Sequence, residues 1–136
     1  MKRVEALDLI INDLVTSQDY SKSAAFSHAL ILRADAYMET QPPNIEQARK
    51  DVDKAIELIK SKDGVYNTSS EALIGRTWRI KADIEEASGN ILEAMAAVSK
   101  WAESSPMFRT KAEKELSRLS ITRGRFDGKN INDMNP

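Results

Sequence analysis

The chain has 136 residues, 41% of them hydrophobic and 30% charged, a balance that fits one soluble globular domain with a real core. Lysine plus arginine number 20 and aspartate plus glutamate 21, for a net charge of −1, so the composition shows no overall bias toward nucleic acid or an anionic membrane. The lack of cysteine excludes disulfides, thiolate metal sites and cysteine nucleophiles, and five glycines and four prolines leave little of the punctuation that a β protein needs.

The opening stretch, MKRVEALDLIINDLV, sets a basic pair before apolar residues, but Glu5, Asp8, Asn12 and Asp13 interrupt any signal-peptide core. No apolar run approaches the roughly 18 residues of a membrane span, so a soluble, cytoplasmic protein is expected. Val4, Leu7, Ile11 and Leu14 step by three and four along one helical stripe. A second helix, capped by Ser21 or Ser23, is predicted to reach about Glu39 with Phe26, Leu30 and Ala34 inward. After TQPPN, Asn44 is placed to cap a third helix, with Gln47 three residues on and Ile45, Ala48, Val52 and Ala55 as its stripe. Thr68 and Glu71 form a capping box for a fourth helix, carrying Ile74, Trp78 and Ala82. Gly75 inside that helix costs about 1 kcal/mol against alanine, which predicts a close backbone approach or else a helix start nearer 76. Gly64 and Gly89 stand where left-handed helix ends are expected. Ile91, Ala94, Val98 and Trp101 mark a fifth helix, and Ser105–Pro106 opens a last one to about residue 122, with Phe108, Ala112, Leu116 and Leu119 on one face. Beyond Arg123, GRFDGKNINDMNP has no period, so the domain is read as 1–122 and residues 123–136 as a disordered tail.

These helices recur in register. Val4, Leu7, Ile11 and Leu14 lie 41 residues before Ile45, Ala48, Val52 and Ala55, which lie 46 before Ile91, Ala94, Val98 and Trp101. Phe26, Leu30 and Ala34 precede Ile74, Trp78 and Ala82 by 48. The unit is a helix, a tight turn and a second helix.

Residues 29–58, and more loosely 77–106, resemble the tetratricopeptide repeat. Leu30, Ala34, Tyr37, Ala48, Val52 and Ala55 carry the likeness in one unit, and Trp78, Ala82, Gly89, Ala94, Val98 and Pro106 in the next. Glu85 departs from the pattern where a tyrosine-like residue is usual, Arg33 and Lys81 where leucine is common, and the spacing exceeds the family's period of about 34. The resemblance implies an all-α solenoid of antiparallel helix pairs, about six helices with a C-terminal capping helix, in which short side chains let the helices approach. It implies a concave groove for an extended protein or peptide segment, lined by His28, Ile31, Leu32, Asp35 and Met38 from one helix and Arg76, Arg79, Ile80, Asp83 and Glu86 from the next. Arg76 and Arg79 would meet a carboxylate or phosphate, and Ile31, Leu32 and Ile80 apolar side chains. The plainer reading makes this a solvated face with Arg79 and Asp83 paired four apart. The clamp with which one branch of the family holds acidic chaperone tails is not expected, because Leu32 and Ile80 stand at its asparagine and arginine positions.

No catalytic role, cofactor or metal is expected. His28 is the sole histidine, without an accompanying Glu-x-x-His pattern, and the neighbouring carboxylates Asp51 and Asp53, or Glu85 and Glu86, read as solvated. Arg109, Lys111, Lys114, Arg118, Arg123 and Arg125 read as a basic helix end complementing the dipole, with RNA contact as the sharper alternative. The Asn67–Ser69 sequon reads as coincidence. Because the chain opens on what resembles a second repeat helix, Leu7, Ile10, Ile11 and Leu14 are expected to form a self-association surface or to meet a further unit of a larger array, a scaffold role that is the alternative to groove binding.

Overall fold

The computed structural model of the chain describes residues 2–15, 24–59 and 71–134, with side chains 3–15, 25–59 and 72–124. Within them lie six α-helices and no strand: α1 (Lys2–Val15), α2 (Ala24–Glu39), α3 (Ile45–Ile59), α4 (Glu71–Ala87), α5 (Ile91–Ser104) and α6 (Arg109–Met134), the last entered through a 3-10 turn at Pro106–Phe108. Among the described residues no helix is long and apolar enough to cross a membrane.

Local chemistry sets the helix ends. The Asn44 side-chain oxygen accepts the Gln47 N–H at 3.4 Å, and the Asn44 N–H donates back to the Tyr37 carbonyl at 2.9 Å, which closes the turn after α2 and starts α3. Gly89 takes φ +82 and closes α4 by a paired motif: its N–H meets the Glu86 carbonyl at 3.0 Å and the Asn90 N–H meets that of Glu85 at 2.8 Å. Helix α3 is amphipathic as expected, with Ala48, Val52, Ala55 and Ile59 buried. Its outer face carries Glu46–Lys50 and Lys54–Glu57 pairs worth a few tenths of a kcal/mol each.

Each helix packs on the next, and α2 also meets α4. The recurring positions form the core. Phe26, Leu30 and Ala34 are buried, as are Ile74, Trp78 and Ala82; Ala48, Val52 and Ala55 are buried, as are Ile91, Ala94, Val98 and Trp101. Of the stripes compared above, only Leu14 and Ile45 are half-exposed, and both still pack against the core. Gly75 lies inside α4, not before it, and an added Cβ there would fall 2.0 Å from Ser105 Oγ and 3.4 Å from Trp101 Cδ1. The close-approach reading of that glycine therefore holds.

Several expectations change. Ser105 makes no side-chain cap for the helix after it; its side chain is buried against Gly75 instead, and Pro106 starts a 3-10 turn. Helix α6 continues to Met134, through the stretch read as a disordered tail: Gly124 and Gly128 cost about 1 kcal/mol each, and no proline breaks the pattern before Pro136. The caps expected at Ser21, Ser23 and Thr68, the left-handed Gly64 and the sequon fall outside the described residues.

Candidate interaction surface

Helices α2 and α4 have neighbours on several sides, so burial covers most of their circumference and leaves one narrow outward stripe on each. On α2 it runs through His28, Leu32, Asp35 and Glu39, and on α4 through Arg76, Arg79, Asp83 and Glu86. Ion pairs place the two stripes on one side of the molecule. Asp35 receives Arg3 of α1 at 3.3 Å and Arg76 at 3.7 Å. Arg79 lies 3.7 Å from both Asp83 and Glu115, and Arg118 of α6 meets Glu115 at 2.6 Å and also holds both oxygens of Glu86. That grip keeps the Glu86 carboxyl below its ordinary value, while burial pushes that of Asp83 up despite Arg79.

The expected groove residues thus divide. His28 and Arg76 are exposed, and Asp35, Arg79, Asp83 and Glu86 are half-exposed and tied into ion pairs. Ile31 and Ile80, expected as apolar contacts for a ligand, are 0% and 4% exposed and belong to the core. Leu32 is half-buried against Val4, Leu7 and Ala36, and Met38 packs on the main core. The face is therefore polar and largely neutralised within itself. Arg79 and Asp83 do pair four residues apart, as the solvated-face reading had it.

The residues that depart from the repeat pattern join consecutive helices. Arg33 holds Asp51 of α3 through two hydrogen bonds at 2.8 and 2.7 Å and reaches Asp8 of α1 at 2.8 Å. The bond to Asp51 keeps the guanidinium firmly protonated, whereas burial acts to raise the Asp51 carboxyl against the pull of Arg33. Burial has the larger effect and pushes the Asp51 carboxyl up despite the two-pronged grip of Arg33. Lys81, 48 residues after Arg33, reaches Asp53 at 3.0 Å and Glu85 at 3.6 Å. Glu85 is 1% exposed and accepts from Arg49 of α3 at 2.9 Å and Asn90 at 3.0 Å. Burial acts to raise its carboxyl, but hydrogen bonds with Glu93, Asn90 and Arg49 and the charge of Lys81 outweigh this and hold it at about 2. Glu93, sharing that hydrogen bond, is held above its ordinary value. Asp51 and Glu85 are thus buried, not solvated as expected. The signal was present in the sequence: each lies three residues from a buried alanine, Ala48 or Ala82, along the apolar stripe.

At the corner of α5 and α6, Trp101 and Phe108 stack with centroids 5.6 Å apart and planes inclined at 26°. The Arg79 guanidinium sits 5.1 Å from the Trp101 ring centroid and the Lys111 ammonium 5.7 Å from that of Phe108. With Lys114 and Glu115 these side chains line a cleft of about 310 Å³. Sequence reasoning read Lys111 and Lys114 as part of a basic helix end, with RNA contact as the sharper alternative, and Arg79 as a groove residue; it did not join them, since Trp101 and Phe108 stack across the Ser105–Pro106 turn.

On α1 the expected surface is corrected. Leu7 and Ile11 are buried and Leu14 is half-buried, while the exposed aliphatics are Leu9 at 69%, Ile10 at 49% and Val15. Position 7 falls on the stripe that faces α2, which takes it from the surface, and Leu9 was missed because it lies off the repeating stripe. Among the described residues no group of three or more His, Cys, Asp or Glu side chains could hold a metal ion. No family model, curated protein or solved structure matches the chain.

Proposed function

We propose that the chain is a non-catalytic protein-interaction module, a tetratricopeptide-like stack of helical hairpins that presents the outward side of α2, α4 and α6 to a peptide or protein segment. The observation that carries this reading is the recurrence of burial: Ala34 and Ala82, 48 apart, and Ala48 and Ala94, 46 apart, all lie at 3% exposure or less, where short side chains let helices approach closely. A stack built on such positions leaves one side of its first helices without a packing role, and here that side carries His28, Asp35, Arg76 and Arg79. Binding there is expected to be polar, because Ile31 and Ile80 are in the core and Leu32 is half-buried against α1. The test is partner capture by the wild-type chain against His28→Ala and Arg76→Glu, two exposed positions whose substitution leaves the core untouched. Loss of captured partners with an unchanged helical spectrum is the expected result; capture unaffected by both changes refutes the use of this face.

A second reading, a self-associating scaffold, is favoured by the exposed Leu9 and Ile10 on α1. Sedimentation across concentrations tests it: Leu9→Glu with Ile10→Glu should dissolve any concentration-dependent species, and a wild-type chain monomeric throughout removes this reading.

A further inference from the structure

Resting on the interaction-module reading, we infer that the cleft at the α5–α6 corner is the anchoring point of the partner and takes the carboxylates of an acidic peptide segment. Three cations line it, Arg79, Lys111 and Lys114, against the single carboxylate of Glu115. That carboxylate is already engaged by Arg118 at 2.6 Å and by Arg79 at 3.7 Å. Lys111 and Lys114 are exposed, and no described carboxylate lies within ion-pair distance of either. Elsewhere on this side the charges satisfy one another, Arg3 and Arg76 at Asp35 and Arg118 at Glu86, so the surplus positive charge collects at this corner.

The cleft is also preorganised. Arg79 and Lys111 rest against Trp101 and Phe108, which brace each other, so a ligand need not order them from free rotamers. The same contacts select against a nucleobase. Trp101 is 8% exposed and both rings already carry a cation, which leaves little open ring surface for base stacking, whereas an ammonium beside a 310 Å³ cleft suits a carboxylate.

The experiment uses a fluorescein-labelled eight-residue peptide of alternating Glu and Leu and its Gln/Leu counterpart, followed by anisotropy at low and physiological salt. Two charge-assisted contacts predict that the Glu peptide binds at least about tenfold tighter, with the preference shrinking as salt rises. Lys111→Gln with Lys114→Gln should remove that preference; both side chains are exposed, so the unfolding midpoint should stay in place and shows that the variant is folded. Equal binding of the two peptides, or binding of neither, overturns the inference. A Glu preference that survives the double lysine change but is lost in Arg76→Glu also overturns it, while leaving the interaction face intact. An oligouridylate that competes with the peptide through the same lysines overturns it in favour of RNA.

Discussion

Replacing Gly75 by alanine sets two effects of opposite sign against each other. Alanine in place of glycine inside a helix gains about 1 kcal/mol. The new methyl, however, falls 2.0 Å from Ser105 Oγ, 3.1 Å from Ser105 Cβ and 3.4 Å from Trp101 Cδ1. Turning the Ser105 hydroxyl aside relieves only the first contact. The second stays tighter than ordinary packing, and Ser105 is itself buried, so α4 and the end of α5 must separate by tenths of an ångström. Overpacking of this kind costs about 1–3 kcal/mol, which meets or exceeds the helix gain, and Gly75→Ala should therefore be destabilising by up to about 2 kcal/mol net. Urea unfolding followed by far-UV circular dichroism measures this. Ser105→Ala removes the nearest atom, so the double variant should be less destabilised than the sum of the singles by about 1 kcal/mol. A Gly75→Ala variant more stable than wild type, or strict additivity, refutes a close approach as the reason for this glycine.

Three further outcomes follow from the ion pairs. The folded Glu85 carboxyl lies at about 2, below its unfolded value near 4.3, so it contributes stability that is present above that unfolded value and lost as pH falls toward 2. Glu85→Gln should cost about 1–2 kcal/mol at pH 7, once the Glu93 hydrogen bond and solvent around Arg49 are allowed for, and should flatten the loss of stability between pH 4 and 2 in urea titrations. Asp51→Ala takes two hydrogen bonds from the Arg33 guanidinium and leaves it only the half-exposed Asp8 at 2.8 Å, and should cost about 2 kcal/mol, whereas replacing both Arg33 and Asp51 by leucine should be near neutral. Arg33→Leu alone leaves a buried carboxyl already pushed upward; being raised, it favours the fold below its unfolded value and loses that contribution as pH rises, so this variant should lie closer to wild type at pH 4 than at pH 7. Parallel pH profiles for wild type and Arg33→Leu would refute that account.

The helices were legible because their apolar residues keep one period, and Asn44 and Gly89 act through local geometry that the sequence carries directly. The face of α2 and α4 was not. A residue such as Ile31 or Ile80 lies off the main stripe and reads as outward on an isolated helix, but on a helix flanked by α1, α3 and α4, or by α2, α3 and α5, that flank is also interior. The stripe positions of Asp51 and Glu85 pointed inward, but their ion pairs were hidden for a different reason. Their partners lie 18 and 36 residues away on other helices, and nothing along one helix announces a cross-helix ion pair. The aromatic cleft escaped because its stack forms across a turn, between the end of α5 and the residues leading into α6.

The ion pairs bear on how such a stack holds its register. Alanine and short aliphatics at recurring positions let neighbouring helices approach, but equivalent apolar stripes pack on one another with little preference for which unit meets which. Arg33 and Lys81, equivalent at a spacing of 48, resolve this in two directions. Arg33 joins α2 to Asp51 within its own hairpin and to Asp8 of the helix before it, whereas Lys81 reaches back to Asp53 of the preceding hairpin, alongside the Arg49–Glu85 pair across the same junction. An offset of one turn between α3 and α4 would take Arg49 from the buried Glu85 carboxylate and Asp53 from Lys81, leaving Glu85 to Asn90, Lys81 and Glu93 of its own hairpin, a cost that a slip of leucine past alanine does not carry. Arg33, Lys81 and Glu85 each tie their helix to a neighbour in the chain, and at the contact of α3 with α4 the Lys81–Asp53 and Arg49–Glu85 pairs favour one register over a displaced one.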